Sequence, residues 1–236
     1  MRWSHWVRSV KHTPSAMLLV VQLGALLVYP FLEDNPASRA AFSILGIVVL
    51  GLAVLSVRRS PPPTWVSVLL AAPALALLLA QLVSDASWLT PWSAALEAVL
   101  YFYAAVGLIR YMVGDPVISV DDLFAVGATF TLVAWAFAYV YTVVQAVAPE
   151  SFTAAVDPTS PRTWMELLFL SFTTLTSTGL SDVVPVRAFA RSVVMLEQVA
   201  GVLYIAMVIT RMVGLSRSRV APGRPAPHAD GPETSG

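Results

Sequence analysis

The chain has 236 residues, 14 acidic against 14 basic side chains, 57% apolar residues and 12% charged ones. Soluble domains carry about 25% charge, so the composition excludes an ordinary soluble fold and points to a membrane protein. There is no cysteine, and His5, His12 and His228 all lie outside the apolar runs. No disulfide framework, thiolate metal site or intramembrane histidine cluster is therefore available, and zero net charge gives no footprint for nucleic acid.

Runs long enough to cross roughly 30 Å of hydrocarbon occur at about 15–32, 39–57, 64–84, 91–111, 122–148 and 187–214. The first follows a short basic segment, 1–14, and has the look of a signal peptide. Its apolar stretch is long and no small-residue cleavage site follows, which predicts a retained helix. Thr13-Pro14 and Thr90-Pro91 are helix starts; "EDNP" (33–36) and "RRSPPP" (58–63) are breaks. The layout predicts four helices over 15–111, a linker over 112–120, and a second unit over 121–215. The Pro/Gly-rich tail, 216–236, predicts disorder.

Basic residues set the orientation. With both termini cytoplasmic, ten of the 14 Lys and Arg fall inside, and Arg39, Arg162, Arg187 and Arg191 fall outside, as the positive-inside bias requires. The fourth run carries one basic residue, Arg110, at its end. A voltage sensor needs several, so weak voltage dependence is expected. Glu97 in the same run is an intramembrane carboxyl, either a functional group or a hydrogen-bonded acid between helices. Asp121 and Asp122 suit the N-terminus of the fifth helix.

Between the fifth and sixth runs lies "SPRTWMELLFLSFTTLTSTGLSDVVP" (160–185). Ser160 reads as a cap and Pro161 as the first helical residue, giving a helix over 161–174. Fourteen residues cover about 21 Å, too short to span. The segment must enter and leave on one side, as a helix followed by extended chain. Bare backbone at that depth is tolerated only inside protein or along a wet cavity. Glu166 suits the start of this helix. Glu197, about ten residues into the sixth run, lies roughly 15 Å below the outer surface and needs partners, for which Thr173 and Thr174 are candidates.

These residues resemble the pore module of the tetrameric potassium-channel superfamily over about 121–215. That family's filter reads T-x-G-Y-G-D with one more Thr before it; here Thr176, Ser177, Thr178, Gly179, Leu180, Ser181 and Asp182 align without a gap. The resemblance implies an all-α polytopic membrane protein with six transmembrane helices, a re-entrant pore helix and filter between the fifth and sixth, and a homotetramer in the cell membrane. It implies a pore and not an enzyme, with no cofactor. A monovalent cation, potassium or sodium, would meet oxygens of Ser177, Thr178, Gly179 and Leu180, with Asp182 at the outer mouth. Gly201 would be an inner-helix hinge, and Val202, Ile205, Ala206, Ile209 and Val213 would line the cavity. Glu197, Thr173 and Thr174 would support the filter. Leu180 replaces the family's aromatic, and Ser181 replaces a glycine whose position usually needs a positive φ. The alternatives are a weakly selective or sodium-permeable channel and a non-conducting subunit with a degenerate filter.

Overall fold

The computed structural model describes residues 14–29, 87–114 and 119–218, with isolated positions between 69 and 80. The runs expected at 39–57 and 64–84, the N-terminal segment and the tail beyond residue 218 lie outside or largely outside the described residues. The elements are α1 (Pro14–Val28), a 3-10 turn (Ser87–Leu89), α2 (Thr90–Gly114), α3 (Val120–Val147), β1 (Phe152–Thr153), α4 (Trp164–Leu175), β2 (Val184–Pro185) and α5 (Ala188–Ser218). Among the described residues, α2, α3 and α5 are long and apolar enough to cross a membrane; α1 and α4 are shorter. Pro30 follows in the sequence and, with no amide hydrogen to donate, cannot continue the helix.

Helices α2 and α3 pack along their length through small side chains. Ala94, Ala98, Ala104 and Ala105 of α2 and Ala125, Ala128, Ala134, Ala136 and Ala138 of α3 are all buried. In hydrocarbon no hydrophobic force draws helices together, so close backbone approach over small residues supplies the attraction. Leu18 and Ala25 of α1 join the same core. The N-terminal ends of α1 and α3 lie together. Asp121 accepts from the Ser15 amide at 3.2 Å and from the Ser15 hydroxyl at 3.0 Å, which sets its carboxylate at the positive end of α1. Asp122 closes a capping box with Ser119 at the start of α3.

The chain then folds back. Ser160 and Pro161 are not the start of α4: the N-cap is Thr163, in a capping box with Glu166. Two features of the sequence override the serine. The T-x-x-E spacing satisfies two end groups reciprocally, and the Ser160 carbonyl is taken by the Arg162 guanidinium at 3.1 Å. The Gln145 side chain clamps the Arg162 backbone on both sides, accepting its amide at 2.8 Å and donating to its carbonyl at 3.0 Å. The short β1–β2 pairing, Phe152 opposite Pro185 and Thr153 opposite Val184, joins the segment before α4 to the segment after it.

Candidate functional site

Helix α4 starts beside the C-terminal half of α3, where Trp164 packs on Trp135 (5.4 Å between ring centroids) and Tyr139 (5.5 Å). It ends halfway down, with Phe172 at 6.2 Å from Phe130. Its 12 residues rise about 18 Å, so α4 stops inside the depth that α3 crosses. Helix α5 passes the end of α4 at Gly201. A Cβ added there would lie 3.1 Å from Leu175 Cα and well inside contact with the Leu175 carbonyl oxygen. Glycine at 201 therefore lets two backbones touch, and α5 runs through this position as continuous helix.

The end of α4 is a Schellman motif. Thr176 is the C-cap, Ser177 follows in the left-handed region with φ 60°, the Ser177 amide donates to the Thr174 carbonyl at 3.0 Å, and the Thr178 amide donates to the Thr173 carbonyl at 2.9 Å. Glycine usually fills the position that Ser177 holds. The Gly179 amide also donates to the Thr173 carbonyl, at 3.1 Å, and Gly179 has φ 64°. The left-handed residues are thus Ser177 and Gly179. Ser181, expected to need a positive φ, does not take one; its hydroxyl instead accepts from the Val183 amide at 3.0 Å.

One asymmetry stands out in this stretch. The amides of Ser177, Thr178 and Gly179 turn back onto α4, while no carbonyl of Thr176 to Leu180 accepts a hydrogen bond among the described residues. All five of these residues are exposed in the single chain, as is Asp182. So are Val202, Ile205, Ala206, Ile209 and Val213, whereas Gly201 and Tyr204 face inward. Tyr204 donates to the Val126 carbonyl at 2.6 Å, which fixes the rotation of α5 about its axis.

Behind α4 lies a polar knot that the sequence indicated only in part. Glu197 is fully buried, as its depth in the sixth run suggested. Its carboxyl meets the Tyr141 hydroxyl of α3 and the Ser171 hydroxyl of α4. Ser171 also reaches the Ala134 carbonyl at 2.8 Å. Thr173 and Thr174 are not the hydrogen-bonded partners of Glu197. The Thr173 hydroxyl bonds the Leu170 carbonyl at 2.9 Å, and Thr174 bonds Tyr141. Thr173 bears on the loop in another way, because its carbonyl collects the Thr178 and Gly179 amides. Ser171 lies one helical turn before Thr174, so the helix face was legible and the register was not. Tyr141 stands two helical turns beyond Ala134 on the same face of α3. That spacing was a signal in the sequence, but reading it needed the rotation of α3 against α5.

Glu97 is buried between α2 and α3, hydrogen-bonded to Tyr139, whose ring stacks on Tyr101 at 5.6 Å. Tyr139 in turn packs on Trp164 at the start of α4. Among the described residues no group of three or more His, Cys, Asp or Glu is placed to hold a metal ion.

No curated protein and no solved structure matches the chain. Residues 127–216, from α3 through the re-entrant helix and the loop to the last turns of α5, match the family model described as "Ion channel".

Proposed function

We propose that four copies of this chain surround one axis and conduct monovalent cations passively across the cell membrane, with both termini cytoplasmic. The observation that carries this reading is the loop after α4, whose amides are tied to the helix while its carbonyls accept nothing among the described residues. Open carbonyls at membrane depth need a cation or water. One such loop encloses nothing; four related by a rotation axis give rings of oxygen from Ser177, Thr178, Gly179 and Leu180 that replace an ion's hydration shell. Asp182 stands at the outer mouth. The negative end of α4 points toward the same axis and favours a cation there.

Helix α5 supports the same assembly. Only 17% of its most apolar window is buried within one chain, against 56% for α2 and for α3. Its uncovered side carries Val202, Ile205, Ala206, Ile209 and Val213, which we assign to the cavity and the neighbouring subunit. Potassium and sodium both fit this scheme, since Leu180 and Ser181 depart from the family's filter. Ion flux into liposomes holding the purified protein, compared for the two ions, tests it. Flux of either ion is expected, and absence of both would make the chain a non-conducting subunit.

A further inference from the structure

Hydrogen-bond accounting around Glu197 shows one hydrogen too few. The Ser171 hydroxyl has a single hydrogen, yet its oxygen lies within bonding distance of two acceptors, the Ala134 carbonyl at 2.8 Å and a Glu197 carboxyl oxygen. The other carboxyl oxygen already receives the Tyr141 hydroxyl. If Glu197 is a carboxylate, either Ala134 or Glu197 faces Ser171 with no hydrogen between them. Among the described residues, no cation is ion-paired with Glu197, and an unpaired charge at this depth is costly. The groups that face it are Tyr141 of α3 and Ser171 of α4.

We propose that Glu197 carries the missing hydrogen on Oε1. The chain of bonds then closes: Glu197 Oε1 donates to Ser171 Oγ, Ser171 Oγ donates to the Ala134 carbonyl, and the Tyr141 hydroxyl donates to Glu197 Oε2. Every member is satisfied and no charge is buried. The proton joins α3, α4 and α5 one turn before the end of α4, with Glu197 acting as a positioning residue for α4. A carboxylate would leave one link open, and Ser171 of α4 would lose its tie either to α3 at Ala134 or to α5 at Glu197.

The assignment does not depend on conduction, so it can be tested apart from the pore reading. Infrared spectra of the protein in lipid at neutral pH are expected to show a protonated-carboxyl C=O stretch that Glu197→Gln removes and Glu97→Gln leaves in place. Glutamine can donate to Ser171 and accept from Tyr141, so Glu197→Gln should also keep the melting temperature and any flux near native, while Glu197→Ala lowers both. Tyr141→Phe leaves the acid in place and should shift the same band, which covers the case in which Glu197→Gln does not assemble. A native spectrum without that band, or a band that neither Glu197→Gln nor Tyr141→Phe alters, would overturn the proposal. Native protein that shows the band but passes no ion would count against the pore and leave the proton assignment standing.

Discussion

Ser177 holds a left-handed backbone that a residue with a side chain enters at a cost of about 1–2 kcal/mol. Glycine has no such cost, so Ser177→Gly should stabilise the end of α4 by about 1 kcal/mol. In the proposed pore the same substitution deletes a ring of hydroxyls and should reduce flux. Thermal melting and liposome flux moving in opposite directions would show that the serine is kept for the ion. Gly201→Ala separates packing from hinging. The methyl would press on the Leu175 backbone, which cannot yield as a flexible side chain does, and overpacking of this kind costs about 1–3 kcal/mol. A lower melting temperature is expected; unchanged melting with altered opening would favour a hinge.

At the scale of elements, the segment before α4 is built around Arg162. Its side chain is 2% exposed and pairs with Glu166 at 3.1 Å, while its guanidinium also bonds the carbonyls of Ser160 at 3.1 Å and Val156 at 3.3 Å. Removing the guanidinium leaves these acceptors to find water and uncouples the capping glutamate. Arg162→Ala should cost about 1–3 kcal/mol and expose residues 149–160 to protease. Limited proteolysis with mass mapping checks this, and unchanged digestion would mean that β1–β2 and the Gln145 clamp suffice. Helix α2 presents a different case. Arg110 is its one basic residue and is exposed near its end, so a 100 mV step, worth about 2.3 kcal/mol per elementary charge crossing the whole field, moves little through it. A steep conductance–voltage curve would show that charge elsewhere in the chain senses the field.

At the scale of the molecule, the sparse burial of α5 in one chain has a measurable counterpart. Mass photometry or native mass measurement in detergent should give a tetramer. Replacing Ile205 and Ile209, both exposed in the single chain, with Asn should alter ion passage more than it alters the fold of α2 and α3, because neither residue belongs to that core. A stable monomer would remove the basis for a central path, and flux by such a monomer would place the path elsewhere.

The sequence by itself determined the strongly apolar class, the helices α2, α3 and α5 that are long and apolar enough to cross a membrane, and the shorter helix α4 between the last two. Each rests on run length against bilayer thickness or on proline and capping residues, and those are local. It also determined that Glu197 sits deep and needs partners. Tertiary structure decided which partners. Helical spacing fixes a face but not the rotation of one helix against another, so Ser171 and Tyr141 took the place of Thr173 and Thr174. It likewise decided that Gly201 serves a backbone contact with Leu175, which no pattern within α5 encodes. The start of α4 moved from Ser160 to Thr163 for a related reason: two good caps competed, and the choice went to the one whose rival had its carbonyl bound by Arg162. Left-handed backbone fell at Ser177 and Gly179 and not at Ser181; at Ser177 the reason is that the helix end must satisfy its own last carbonyls, and the nearest free amides belong to the residues that follow it.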